Sequence, residues 1–97
     1  MFHFNKLDDK NHFTFLPKLD TATCSGKEND ILQILGGDKS PVVFNLKGVE
    51  YISSYFLRIC TSVAKHVGGR NLKITNSTPN VKKVFKIAGF DQMMDIE

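Results

Sequence analysis

No apolar run in this sequence approaches the roughly 18 residues of a membrane-spanning helix, so no membrane span is expected. The opening segment, Met1-Phe2-His3-Phe4-Asn5-Lys6-Leu7-Asp8-Asp9, carries acids early and lacks the sustained apolar stretch of a signal peptide. A cytoplasmic location is the expectation. Cysteine is scarce: Cys24 and Cys60 lie far apart, with neither a companion cysteine nor a spaced histidine. That argues against a disulfide framework or a zinc site, and Cys60 reads as a buried free thiol on the apolar stripe of a helix. His3, His12 and His66 fall in no ligand spacing such as HExxH, so neither metal nor cofactor is expected. There is no Gly-x-Ser-x-Gly elbow, no convincing His/Asp partner for a serine and no phosphate-cradling glycine-rich loop, which excludes the common serine-hydrolase and nucleotide-binding signatures. An enzyme is not expected. A dense basic stripe is missing too. With 13 Lys+Arg against 10 Asp+Glu, the formal charge is +3 and the pI about 9.0, short of a nucleic-acid binder. Lys82, Lys83 and Lys86 cluster on one helix, where they read as a solvated face opposite Val81, Val84 and Phe85.

What is present is an ordinary globular balance, 41% hydrophobic and 24% charged over 97 residues, enough for one domain spanning residues 1–97. Phe2-His3-Phe4 and Phe13-Thr14-Phe15 alternate apolar and polar residues, the period of half-buried strands. Asp8-Asp9-Lys10-Asn11 between them reads as the turn of a hairpin, and Pro17 ends the second strand. Ala22 to Leu35 reads as one helix with Cys24, Ile31, Leu32 and Leu35 inward, stopped by Gly36-Gly37. Val42-Val43-Phe44-Asn45-Leu46 is a nearly continuous apolar run and reads as a central strand covered on both faces. A helix from about Ser54 to Val67 repeats Phe56, Ile59, Cys60, Val63, Ala64 and Val67 at three- and four-residue spacing. Leu72-Lys73-Ile74-Thr75 alternates as a strand. Ser77-Thr78-Pro79 supplies a cap and a first-turn proline for a last helix carrying Val81, Val84, Phe85 and Ala88 on its apolar stripe, closed by Gly89. Phe90 to Glu97 reads as a short strand or helical tail. The order β-β-α-β-α-β-α predicts an α/β fold, a small mixed sheet with helices packed mainly on one face.

The most informative stretch is Gly48-Val49-Glu50-Tyr51-Ile52-Ser53-Ser54-Tyr55-Phe56-Leu57-Arg58. Two serines stand where a strand ends and an amphipathic helix begins. A helix N-terminus has unpaired N–H groups and the positive end of the dipole, so a hydroxyl there can cap the helix, act as a nucleophile or carry a phosphate.

The run from Val43 through Arg58 resembles the signature of STAS domains, the family of bacterial anti-sigma factor antagonists, in which a strand of the form VVxDLxxVxxI enters an SSxGLR-type turn. A second block, Leu72-Lys73-Ile74-Thr75-Asn76 followed by Pro79 through Phe90, is similar to that family's strand, helix and closing segment. The likeness extends more weakly to Phe15-Leu16-Pro17-Lys18-Leu19-Asp20-Thr21-Ala22. It implies a STAS-like domain that binds an anti-sigma factor that is also a serine kinase, with Ser54 the residue reversibly phosphorylated. The dephosphorylated domain would hold the kinase and free a sigma factor; the phosphorylated one would be released. The implied partner surface comprises Asp20, Thr21, Ser53, Ser54, Tyr55, Arg58 and Thr78, with Asn76 at the same junction as Thr78. Phe56 stands at the family's usual glycine, and its spacing to Cys60 and Val63 places it in the core. The alternative is a non-switching STAS subunit of a larger complex, such as a bacterial lipid-transport ATPase.

Overall fold

The computed structural model describes residues 2–97. Strands β1 (Phe2–Leu7) and β2 (Lys10–Phe15) form an antiparallel hairpin, with Phe2 opposite Phe15 and Leu7 opposite Lys10. Only Asp8 and Asp9 join them, both at positive φ (53° and 62°). That is the backbone of a two-residue turn whose twist matches its strands, and aspartate enters this region more readily than most residues. The turn is thus tighter than the expected four residues, and Lys10 and Asn11 belong to β2.

Strands β4 (Val42–Asn45), β6 (Leu72–Thr75) and β7 (Asp95–Ile96) continue the sheet in parallel, giving the order β1-β2-β4-β6-β7. Two short parallel strands, β3 (Lys18–Leu19) and β5 (Tyr51–Ile52), pair separately. Along the main sheet one face is buried throughout: Phe13 and Phe15, Val42 and Phe44, and Leu72 and Ile74 alternate with more exposed neighbours. Edge-to-face rings tie these layers together, Phe15 to Phe44 at 4.8 Å and Phe15 to Phe56 at 5.0 Å between centroids. The expectation that Val42–Leu46 is covered on both faces needs correction. Val42, Phe44 and Leu46 enter the core, whereas Asn45 is half-buried on the other side and only Val43 is closed over there. On that face the register sets Val43 between His12 of β2 and Lys73 of β6.

The helices pack their apolar stripes onto this core. Helix α3 (Ser54–Val67) buries Phe56, Ile59, Cys60, Val63, Ala64 and Val67 as its spacing predicts. The expected helix over Ala22–Leu35 is two: α1 (Thr21–Cys24) and α2 (Lys27–Leu35). Gly26 separates them at φ 81°, a left-handed conformation that an L-residue with a side chain resists. Helix α4 (Pro79–Ile87) starts at its proline as read, but its inner stripe is narrower. Val81 and Phe85 are buried, while Val84 and Ala88 are exposed and Ile87 is 77% exposed. The reason is that the short 3-10 turn Phe90–Gln92 and Met94, not more of α4, close this end of the core. Lys82, Lys83 and Lys86 lie in solvent as expected. At the opposite end of β4, Asp38 accepts from Lys6 Nζ (2.9 Å), Asn11 Nδ2 (3.2 Å) and Ser40 N (2.8 Å), pinning the hairpin to the α2–β4 loop. The Lys6 ammonium and these hydrogen bonds hold the Asp38 carboxyl well below the usual carboxylate range.

Candidate functional site

Parallel pairing of β3 with β5 sets Leu19 opposite Ile52, so the residues that follow, Asp20-Thr21 and Ser53-Ser54, leave the sheet side by side. Ser53 N donates to Leu19 O at 3.1 Å and extends that register into the turn. Each chain then enters a helix. The Asp20 carboxylate caps α1, accepting from Thr23 N at 2.9 Å, and the Ser53 hydroxyl caps α3, accepting from Phe56 N at 3.3 Å. Both residues hold the extended backbone of an N-cap, which turns the side-chain oxygen back over its own helix.

The two serines therefore have different environments. Ser53 is 5% exposed and committed to the cap, while Ser54, the first residue of α3, is exposed. Beneath Ser53 lies the buried thiol of Cys24. Burial pushes its pKa up, partly offset by hydrogen bonding to Ser53 and Thr23. Burial holds the Cys60 thiol well above its ordinary value as well, so neither sulfur offers a ready thiolate.

Around Ser54 the exposed or half-buried residues are Thr21, Asp20 and Tyr55. Arg58, one turn along α3, sets its guanidinium 5.9 Å from the Tyr55 ring centroid and pairs with Glu28 of α2 at 3.6 Å. Glu28 also accepts from the Ser62 hydroxyl, so α2 and α3 are bridged by one carboxylate. Thr78 caps α4 by accepting from Val81 N at 3.3 Å, and α4 packs beside β5. At the same end of the sheet, Asn76, at φ 58°, donates to Asn45 Oδ1 at 2.9 Å. Phe56 is fully buried between Phe15 and Phe44, in the core as its spacing to Cys60 and Val63 predicts, and adds no knob to the surface.

The structure thus brings Asp20, Thr21, Ser53, Ser54, Tyr55 and Arg58 to neighbouring helix starts, with Thr78 on the adjacent helix. Ser53 contributes a buried cap there, its side chain withdrawn from the surface. Sequence reading missed Glu28, which orients Arg58, and Cys24, which underlies the cap. No local signal pairs either with α3, since both contacts come from the packing of α1 and α2. Among the described residues no pocket opens and no three His, Cys, Asp or Glu side chains gather. Nor is any helix long and apolar enough to cross a membrane. The arrangement is a surface.

The STAS domain profile matches residues 10–97, nearly the whole chain. The protein belongs to the STAS domain family. Solved structures agree on the fold. The anti-sigma factor antagonist SpoIIAA in its unphosphorylated form superposes with a TM-score of 0.83 at 16% identity, covering 100% of this chain and 88% of that one. An anti-sigma-factor antagonist STAS protein from Planctomyces limnophilus gives 0.82 at 14% identity, covering 98% and 87%. The phosphorylated form of SpoIIAA, the Bacillus cell fate determinant, gives 0.69 at 19%, covering 100% and 91%. A comparison with curated proteins gives no match. This STAS chain therefore shares with SpoIIAA a mixed five-stranded sheet under its helices, at identities that establish the fold alone.

Proposed function

We propose that this STAS domain is an anti-sigma factor antagonist that binds a partner anti-sigma kinase and is switched by phosphorylation of Ser54. One observation carries the reading: of two adjacent serines at the start of α3, Ser53 is buried as the cap and Ser54 is exposed beside Thr21 and Tyr55. Of the two serine hydroxyls at this turn, a kinase meets only that of Ser54 in the open. Transfer of the γ-phosphoryl group of ATP to Ser54 Oγ, with loss of the hydroxyl proton, adds about −1.5 to −2 charges at the positive end of a 14-residue helix. The fold accepts that charge, because it lies outside the core and faces the helix dipole. A partner surface shaped to a neutral hydroxyl does not, because desolvating the phosphate there without a cation costs several kcal/mol or more. Binding changes while the domain stays folded.

Membership in the STAS family and a fold shared with anti-sigma factor antagonists support the kind of partner. Among the described residues the domain presents a surface without a pocket, which fits protein recognition better than chemistry on a small molecule. Wild type, Ser53→Ala and Ser54→Ala are incubated with a candidate anti-sigma kinase and ATP, and the mass is followed. Phosphate is expected on wild type and Ser53→Ala only. Ser54→Asp is expected to lose kinase binding while keeping its circular dichroism spectrum. Phosphate on Ser54→Ala, or equal kinase affinity for wild type and Ser54→Asp, removes the switch. Capture of transport-ATPase components in place of a kinase supports a non-switching subunit.

A further inference from the structure

The two edges of the main sheet are built in opposite ways. Strand β7 is two residues long, Asp95 on it is paired with Arg70 at 3.0 Å, and the following Glu97 bonds Ile74 O and Lys73 Nζ. A short, charged, tied-down strand is how proteins blunt an edge against further pairing. Strand β1 carries one such ion pair, Lys6 with Asp38, but it is neither short nor tied down along its backbone. It runs six residues in unbroken register with β2, without proline or bulge, and no hydrogen bond from another element reaches its backbone among the described residues. Its side chains are apolar for an edge: Phe4 is 40% and Leu7 51% exposed. Its one Lys, Arg, Asp or Glu residue, Lys6, is neutralised by Asp38 at 2.9 Å. The STAS profile match begins at Lys10, so this strand lies outside the matched residues.

We infer that the free edge of β1 pairs with β1 of a second copy of this chain, antiparallel about a two-fold axis, joining two sheets into one of ten strands. A second copy is the occupant this edge suits. It presents a strand of equal length, and because Lys6 is already paired, two β1 strands approach without like-charge repulsion. Directly opposed antiparallel residues share a face. Centring the axis at Phe4 therefore sets Phe4 against its symmetry mate, on the face where Phe2 and Phe4 already contact Phe13 (5.3 and 4.9 Å between centroids). The aromatic row Phe44-Phe13-Phe4 then continues across the axis and covers the ring that the monomer leaves in water. Asn5 falls opposite His3 on the other face. An edge of about 20 Å is a small interface, so the dimer is weak and concentration-dependent. The inference does not depend on the proposed function.

The test is sedimentation velocity on the full chain across roughly 5 to 500 μM, with a rise from monomer to dimer mass expected in that range. Phe4→Lys is expected to raise the dimer dissociation constant on the order of tenfold or more, by setting two cations face to face. Because Phe4 touches Phe13, each variant is checked by circular dichroism. Phe4→Cys supplies a second readout that keeps the fold's charge. Under mild oxidation it is expected to form a disulfide dimer, since opposed residues across antiparallel strands bring Cα atoms to about 4.5–5.5 Å. Leu7→Cys is the control: this register holds its two copies about six residues, roughly 20 Å, apart. A monomer throughout, a dimer untouched by Phe4→Lys, or Leu7→Cys cross-linking as fast as Phe4→Cys overturns the inference.

Discussion

Replacing Ser53 with alanine removes the hydroxyl that accepts from Phe56 N at 3.3 Å, and the two serines of this turn then part company. Loss of an N-cap costs about 0.5–2 kcal/mol in general. At 5% exposure little water can take the place of the lost acceptor, which pushes the cost upward, whereas the length of the bond keeps it from the top. We expect about 1–1.5 kcal/mol. For a domain of this size each kcal/mol lowers Tm by about 4–8 °C, so Ser53→Ala should melt roughly 4–12 °C early. Ser54 makes no cap and is exposed, so Ser54→Ala should lie within about 0.5 kcal/mol of wild type. Ser54→Asp should gain about 0.3–1 kcal/mol from the helix dipole, a gain that shrinks as salt is added. Far-UV circular dichroism melts at neutral pH, in low and high salt, read all three. A Tm loss for Ser54→Ala as large as that for Ser53→Ala would refute the division of labour between buried cap and free hydroxyl.

The Asp38 clamp gives a pH dependence. Its carboxyl is held below the unfolded value, so it contributes stability above about pH 4 that is lost as pH falls through and below that value; Asp38→Asn should flatten the acid limb of Tm against pH, and an unchanged limb would contradict it. Phe56→Ala empties a site between Phe15 and Phe44 and should cost about 3–5 kcal/mol in urea unfolding, a loss below 1 kcal/mol placing Phe56 outside the core. Gly26→Ala meets no atom within 4 Å but must adopt φ 81°, so it should cost about 1–2 kcal/mol through backbone strain alone, checked by the same unfolding curve. Cys24 and Cys60 should both resist a thiol reagent in the native protein and react together once it unfolds; early labelling of either would show an open path to the core.

Much of this molecule follows from local pattern. The stripe from Phe56 to Val67 could bury only as a helix of 3.6-residue period, and Leu72-Lys73-Ile74-Thr75 only as a strand with one apolar face. Thr78-Pro79 marks a helix start by chemistry confined to two residues, a cap and a fixed φ. The paired serines and the blocks around them were enough to point to the STAS family, because side chains at a strand-to-helix turn lie close in sequence. Part of what failed was local backbone geometry, at Asp8-Asp9 and Gly26, and the rest was decided by contacts from elsewhere in the chain. Gly26, at φ 81°, breaks the helix that Ala22–Leu35 suggests, and the two pieces are then held separately, α1 by its Asp20 cap and α2 by Glu28 against α3. Two-residue strands β3 and β5 carry no readable period, and they exist because each pairs with the other across more than thirty residues (Leu19 with Ile52). Val84 and Ala88 match an inward stripe yet are exposed, while Met94, from beyond the helix, is buried in the core and Phe90 packs on Phe85. Sequence placed two hydroxyls at one turn. Only tertiary structure decided which is buried, because β3 and the thiol of Cys24 close over Ser53 and leave Ser54 in water.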